Sequence, residues 1–454
     1  MDTEELRAVI RQKIIDFSLT VYQPIFHRDL SLGEPQSPKA GNLVNVVIGM
    51  RRSGKTYRLL QEIESLLARG IPDTNILYFN FEDDRLRPYT AGLGGLVTET
   101  FYELHPKAKT EGAYLFLDEV QEVPDWGIWL RMIVDTEKAT IYVTGSSAKL
   151  LSADVATEFR GRSISCELLP FGFAEFIRFH QGGGLPKSPY STSDALVLME
   201  HFNEYLQRGG FPAIQGEPWE RATGILQSYA QQVVARDVIE RHNLSNPQAI
   251  SVFSSYALAY SGRELSIRKS LSRMQSQGIK VGRSTLADAL SYFEDAFLLA
   301  TLAPYSRALA DDSNAVVKVY AIDPGLARAN SPATGEDLSQ LLEDAVYLEF
   351  RRRNPHRRDR YISRFVSGKR SYEVDFVVDD SLGPDSLIPC QVCLSMQDVK
   401  TAEREIRALR EAMAELGVSE SLLVVLKGEE REIKVDEGVI RVVPAWQWCL
   451  EGST

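Results

Sequence analysis

Cysteine is scarce in this chain, with four among 454 residues. That is too few for a disulfide framework. Cys390 and Cys393 form a C-x-x-C, but it lies inside LIPCQVCLS (387–395), which reads as a strand. Residues three apart on a strand point to opposite faces, and no second Cys or His pair completes a zinc site. Both read as packing residues. Long apolar runs are also missing. No stretch of about eighteen apolar residues occurs, so no membrane span is expected. The N-terminus, MDTEELRAVIRQKII, has early acids and no apolar core, and reads as an amphipathic helix, not a signal peptide. A cytoplasmic location is expected. Positive charge is in deficit, with 51 Lys and Arg against 62 Asp and Glu, a net charge of −11. That argues against wholesale coating of nucleic acid, whose nonspecific affinity comes from neutralised phosphates. It leaves room for a local basic patch. At 454 residues the chain is too long for one core, and two to four domains are expected.

What is present starts at GMRRSGKT, Gly49 to Thr56, which fits G-x-x-x-x-G-K-[ST]. Before it, LVNVVI (43–48) is a continuous apolar, β-branched run that reads as a buried strand. After it, YRLLQEIESLLARG (57–70) is apolar at helical spacing, with Gly70 as a stop signal. Strand, glycine loop and helix are the context this phosphate-binding motif needs. Backbone N–H groups and the helix N-terminus form an anion site. The candidate nucleotide contacts are Gly49, Arg51, Arg52, Ser53, Gly54, Lys55, Thr56 and Tyr57. Lys55 would reach the β and γ phosphates of ATP, and the Thr56 hydroxyl would ligate Mg²⁺.

Such a loop needs a carboxylate for the metal at the end of a neighbouring strand. AYLFLDEVQ (113–121) supplies Asp118 for Mg²⁺ and Glu119 to polarise the attacking water. A further strand, ATIYVTGSSA (139–148), ends in Thr144, Ser146 and Ser147. One of these hydroxyls would sense the γ-phosphate, with Ser146 taken as the candidate, or the serines only cap the next helix. In TEFRGRSIS (157–165), Arg160 or Arg162 is either an arginine finger or a surface arginine. A finger acting in trans would require a homo-oligomer.

GMRRSGKT, LFLDEVQEVPDW (115–126), TGSSAKLL (144–151), FRGRSISCELLPFGFAEF (159–176) and YLQRGGFPAI (205–214) occur together and in this order. In that they resemble the archaeal-type ATPases of the AAA superfamily that carry a C-terminal domain of uncharacterised function. The resemblance covers nearly the whole chain. It implies ATP binding and hydrolysis, an additional-strand P-loop fold, a helical lid and a C-terminal restriction-endonuclease-like domain.

The expected fold class is α/β: a P-loop ATPase core with a helical lid, a winged-helix module and a C-terminal PD-(D/E)xK-like α/β domain. Residues 1–40 read as an N-terminal helix and lead-in. Residues 41–180 read as the ATPase domain, with strands at 43–49, 75–81, 113–118, 139–145 and 162–168. A βα unit between the phosphate-loop strand and the Asp118 strand suggests an extra strand inserted between them. The helices of 195–245 read as the lid. Over 247–325, helices at 249–262, 264–278 and 283–296 precede strand-like runs at 297–306 and 315–323, the order of a winged helix. Its third helix carries Asp288, Glu294 and Asp295 against Arg283, a poor match to phosphates.

Residues 335–454 read as the nuclease-like domain. A helix over 337–354 carries Glu343 and Glu349, a hairpin over 360–380 carries Asp375, and a strand over 386–396 follows. This resembles the PD-(D/E)xK nuclease core, in which Asp375 would bind metal. The tripeptide that should read (D/E/Q)-x-K is Gln391-Val392-Cys393. Cys393 supplies no permanent cation, and Gln391 is neutral, so the domain reads as degenerate. Glu349, Asp375 and Gln391 are the candidates for a vestigial second metal site. The dense basic run RRRNPHRRDRYISR (351–364) is the nucleic-acid hint: Arg351, Arg352, Arg353, Arg357 and Arg358 would contact DNA or RNA phosphates. Its alternative is a basic surface that pairs with acidic protein. The function expected is an Mg²⁺-dependent ATPase that acts on or is regulated by nucleic acid. The alternatives are an ATP-gated protein-interaction switch in signalling or defence, and an ATP-gated metal-dependent nuclease.

Overall fold

The computed structural model describes residues 3–146, 161–186, 188–305, 316–331, 338–356, 361–367, 372–379 and 387–451. The chain divides into two compact units, Met1–Leu168 and Leu169–Thr454.

In the first unit, four largely apolar runs and the mixed segment SISCE form β1 (Val44–Ile48), β2 (Ile76–Asn80), β3 (Ala113–Asp118), β4 (Ala139–Gly145) and β5 (Ser163–Glu167). They make one parallel sheet in the order β2-β3-β4-β1-β5. β4 lies between β1 and β3, which is the inserted strand expected from the spacing. Every residue of β3 and β4 is buried, as continuous apolar runs require of strands covered on both faces. The helix Lys55–Ala68 buries Leu59, Leu60, Ile63 and Leu66 against Val47, Phe116 and Tyr142 of β1, β3 and β4. Each such side chain contributes roughly 1.5–3 kcal/mol before conformational entropy is counted. The lead-in joins this core too, through Phe17, Leu19, Tyr22, Ile25, Leu30 and Leu32.

The second unit opens with helices Phe173–Gln181, Thr192–Arg208 and Trp219–Gln232, the last continued by a π-helical segment, Val233–Glu240. Helices Pro247–Ala259, Ile267–Ser276 and Arg283–Asp295 follow. They accompany β6 (Arg263–Leu265), β7 (Leu299–Leu302) and β8 (Val317–Ala321), an antiparallel sheet in the order β6-β8-β7. β6 was not foreseen. Its last two residues fall in the segment read as a helix over 264–278. The Ser266 side chain caps the helix instead, accepting from the Lys269 N–H at 3.3 Å, which leaves 263–265 extended for pairing with β8.

The helix Leu338–Arg353 leads into β9 (Ile362–Val366), β10 (Glu373–Asp379), β11 (Leu387–Ser395), β12 (Glu420–Lys427), β13 (Arg431–Val435) and β14 (Gly438–Pro444). Their sheet has the order β13-β14-β12-β11-β10-β9. β11, β12 and β14 run parallel, and β9–β10, β10–β11 and β13–β14 are antiparallel. The helix Val399–Leu416 packs Leu409, Ala412 and Met413 on Val374, Leu423 and Ile440. All four cysteines are free and buried, including Cys390 and Cys393 on β11. No helix among the described residues is long and apolar enough to cross a membrane.

Candidate active site

β1 ends at Ile48, and the helix begins at Lys55. Between them the loop is tightly placed. A Cβ on Gly49 (φ 146°) would sit 2.4 Å from the Leu168 carbonyl oxygen, and one on Gly54 (φ 104°) would sit 2.9 Å from Arg28 Nη1. Both positions demand glycine. Lys55 is 4% exposed. Its ammonium donates to the carbonyls of Gly49 (3.1 Å) and Met50 (3.3 Å) and lies 3.3 Å from Glu119 Oε1.

Parallel strands bring Asp118, Glu119 and Thr144 to the same edge. Asp118 is fully buried. Its Oδ2 accepts from Thr56 Oγ1 (2.7 Å), Tyr78 OH (3.0 Å) and Asn80 Nδ2 (3.0 Å), and its Oδ1 accepts from Thr144 Oγ1. Thr144 Oγ1 also accepts the Glu119 N–H at 2.9 Å. It therefore ties both acids to β4 and holds Glu119 at φ 54°, a conformation uncommon for a non-glycine residue. Burial pushes the Asp118 carboxyl up, and the adjacent Glu119 carboxylate adds to this. Burial acts upward on Glu119 too, but Lys55, Arg51 and the Gln121 amide outweigh it and hold Glu119 below the usual carboxylate range. Glu119 is thus an ionised acceptor beside the Lys55 side chain.

Two hydroxyls at this edge, Ser53 Oγ in the loop and Ser146 Oγ after β4, are buried with no hydrogen-bond partner. Gly145 pairs with Ile48, so Ser146 follows the strand end beside the loop. Unpaired buried hydroxyls are costly, and a phosphate would satisfy them. The paired oxygens of Thr56 and Asp118 are the donors a hard cation such as Mg²⁺ takes. The residues present fit both ATP and its metal.

The other residues singled out from the sequence fall as follows. Arg51 Nη1 lies 2.7 Å from Glu82 and its Nη2 3.9 Å from Glu122, so it faces carboxylates. Arg52 is exposed at φ 71°. Tyr57 is 46% exposed, edge-on to Tyr22 with centroids 6.3 Å apart. Arg160 and Ser147 lie outside the described residues. Arg162 precedes β5, whose first residue, Ser163, pairs with Val44 at the start of β1. It forms an ion pair with Asp135 at the sheet edge opposite the phosphate loop. Arg162 therefore stands at the strand end away from its own chain's phosphate loop.

Sequence reasoning missed Arg28, Tyr78 and Asn80. Arg28 is 6% exposed, and its Nη1 donates to the Ser53 carbonyl at 2.7 Å. Its backbone exchanges two hydrogen bonds with the Gln61 amide, at 2.8 and 3.2 Å. The apolar spacing of the lead-in was the available signal that this segment docks on the core.

In the second unit, Asp375 on β10 and Gln391 on β11 are brought together: Gln391 Oε1 accepts the Asp375 N–H at 3.2 Å. Glu349 is not part of this group. It pairs with Arg352 (3.6 Å) and Arg353 (3.3 Å). The acid beside Asp375 is Glu343, and both contact Lys318 Nζ, at 3.0 and 3.3 Å. Six residues along a helix turn about 240°, so Glu343 and Glu349 cannot face the same neighbour. Burial acts downward on Lys318, but Glu343, Asp375 and Glu373 outweigh it and keep it firmly protonated. Burial and Glu343 push Asp375 up to about 8. The described arginines of the basic run's first turn are engaged as well. Arg352 donates to the carbonyls of Pro170 and Phe171 and to Tyr205 OH, each at 3.3 Å. Arg353 donates to the Trp448 carbonyl at 2.5 Å and stacks 3.9 Å from its ring. Arg351 lies over Tyr347 at 5.8 Å. The assignment of Arg352 and Arg353 to nucleic-acid phosphates is corrected by these contacts. Arg357 and Arg358 lie outside the described residues.

A parallel five-stranded sheet with this loop and these paired acids defines a P-loop ATPase domain. Residues 41–177 match the family described as AAA domain, and residues 199–337 match a domain of unknown function, DUF8612. The chain belongs to the family of the uncharacterized protein MJ1544 of Methanocaldococcus jannaschii, with which it is 32% identical over 417 residues, 90% of this chain and 88% of that protein. An uncharacterized protein of Haemophilus influenzae is 25% identical over 362 residues, 79% of this chain and 84% of that one. Among solved structures, the Walker-type ATPase PABY2304 of Pyrococcus abyssi is similar at a TM-score of 0.37 and 14% identity, covering 72% of this chain and 95% of that one.

Proposed function

We propose that this chain is an Mg²⁺-dependent ATPase whose ATP binding and hydrolysis change the conformation of its C-terminal unit. The observation that supports this most is the single Thr144 hydroxyl joining Asp118 and Glu119 beside Lys55 and two unpartnered buried hydroxyls. Lys55 exchanges its contacts with Gly49 and Met50 for the β and γ phosphates. Thr56 and Asp118 would hold Mg²⁺, which would supply positive charge to the phosphates. Glu119 accepts a hydrogen bond from the attacking water and takes its proton. Ser53 and Ser146 donate to phosphate oxygens. Lys55→Ala should abolish ATP binding, whereas Glu119→Gln should bind ATP normally and hydrolyse at least 10²-fold more slowly, as removal of a general base typically costs about 10²–10⁴. Wild-type turnover by Glu119→Gln would refute the base assignment.

In this reading residues 247–325 form a winged helix and 335–454 a nuclease-like domain, and they carry the output. For the partner, the engagement of Arg352 and Arg353 within the unit favours protein over nucleic acid, as does the net charge of −11. A filter-binding titration of DNA and RNA with ATP and Mg²⁺ at about 50 mM salt decides this, and no measurable binding is expected. If binding appears, and Arg357→Gln with Arg358→Gln lowers its log–log salt slope by about 0.7–0.9 per residue, the partner is nucleic acid.

A further inference from the structure

β8 and β10 belong to different sheets, yet their side chains meet in one cluster, with Lys318 and Asp375 buried and Glu373 at its exposed rim. Lys318 on β8 is 8% exposed. Its ammonium lies 3.0 Å from Glu343 Oε1, 3.3 Å from Asp375 Oδ1 and 3.6 Å from Glu373 Oε1. Each carboxylate is further anchored. Glu343 Oε1 accepts from Tyr320 OH at 2.6 Å, Asp375 Oδ2 accepts the Val392 N–H at 3.0 Å, and Glu373 Oε1 lies 3.3 Å from Arg364 Nη1. A PD-(D/E)xK-like core implies a divalent metal between acids at these strand positions, but with the Lys318 ammonium seated between Glu343 and Asp375 the residues present do not fit one. Gln391 replaces a carboxylate, and its amide oxygen is taken by the Asp375 backbone. Cys393 stands where the lysine belongs. Among the described residues no group of three or more His, Cys, Asp and Glu is arranged to hold a metal ion.

We propose that Lys318 is the resident cation of this carboxylate cage, filling the place of a metal and joining the three-stranded sheet to the six-stranded one. Buried carboxylates need a counter-charge. Lys318 supplies it from within the chain, with three N–H donors directed by geometry that a strand backbone fixes. A single positive charge also needs fewer anions around it than a divalent ion, which accounts for the neutral Gln391. An ammonium group cannot generate a nucleophile by lowering the pKa of a bound water, as a divalent metal does. The cage is therefore a structural joint, and the domain has no metal-dependent nuclease activity.

The test is Mn²⁺ binding by the full-length, nucleotide-free protein, followed by electron paramagnetic resonance. The wild type should show no site that is lost on Asp375→Asn, and it should not cleave DNA in Mn²⁺. Lys318→Met keeps an unbranched side chain but leaves Glu343 and Asp375 without their cation. It should gain one Mn²⁺ site at least tenfold tighter than any in the wild type, abolished by adding Asp375→Asn. Mn²⁺ should raise the unfolding temperature of Lys318→Met alone, and a retained cooperative unfolding transition of the second unit reports that it is folded. A folded Lys318→Met that gains no site would overturn the proposal. So would Asp375-dependent Mn²⁺ binding or DNA cleavage by the wild type, a comparison that stands even if Lys318→Met does not fold.

Discussion

Thr144 does for the candidate active site what neither acid does for itself. One hydroxyl donates to Asp118 and accepts from the Glu119 backbone, so the two carboxylates keep a fixed separation from β4. Thr144→Val preserves shape and β-propensity but removes both bonds. Losing the buried hydrogen bond to the Asp118 carboxylate costs about 1.5–3 kcal/mol, and losing the one from the Glu119 N–H about 0.5–1.5 kcal/mol. ATP affinity should change by less than about threefold, because Lys55 and the loop are untouched. The turnover rate should fall by about tenfold to 10²-fold, in line with that cost, as a single-turnover measurement would show. A second residue-level effect concerns Asp323. Burial pushes it from 3.8 to about 6, although it accepts the N–H groups of Gly210 (2.5 Å) and Leu326 (2.9 Å). A carboxyl raised in the folded state stabilises most below its unfolded value, and that stability is lost as pH rises through about 6. Asp323→Asn should flatten this part of the unfolding-versus-pH curve, a component of about 3 kcal/mol at most. The residues of the site that could be read from the chain, Lys55, Thr56, Asp118 and Glu119, lie in contiguous motifs. Tyr78, Asn80 and Arg28 could not, because they reach the site from elsewhere in the sequence: Arg28 is 25 residues from its Ser53 contact and Tyr78 is 40 from Asp118.

At the scale of elements, apolar continuity located the central strands β3 and β4, because each is buried along its whole length and reads as a nearly unbroken run. It failed for β6 and β13. β6 is only three residues long, and β13 (REIKV) has no fully buried residue and carries charge on the sheet edge, as edge strands do to avoid further pairing. The YLQRGGFPAI run was legible as a motif but not in its reason. A Cβ on Gly210 would lie 2.1 Å from the Phe171 carbonyl oxygen, and one on Gly325 would lie 1.9 Å from that of Arg208. These contacts are with backbone, which cannot swing aside. Gly210→Ala should destabilise the second unit by about 1–3 kcal/mol, the usual range for overpacking. Gly224→Ala is the control: it lies in the helix Trp219–Gln232 with nothing within 4 Å of its Cβ position. It should be stabilising by up to about 1 kcal/mol on helix propensity alone. Thermal unfolding of the two variants, compared with the wild type, checks both signs.

At the scale of the whole molecule, the parallel sheet has a polarity that decides what Arg162 can do. All five strands point their C-terminal ends at the phosphate loop, and Arg162 stands before the first residue of β5. Five residues of strand span about 16 Å, which separates its backbone from its own chain's nucleotide edge. The Asp135 partner is itself half exposed, so the pair can open to meet a neighbour. If an arginine at this edge stabilises phosphate charge, it must do so on a second copy of the chain. Mixing subunits tests this directly. Arg162→Ala keeps an intact phosphate loop, and Glu119→Gln keeps an intact arginine. Each alone should be inactive in an assembly that depends on trans contacts, and the mixture should hydrolyse ATP faster than the sum of the two. The same mixture made with Arg160→Ala assigns the finger between the two positions. No rescue in either mixture, together with a monomer at every concentration in the presence of ATP, would remove the trans mechanism and leave both arginines as surface residues.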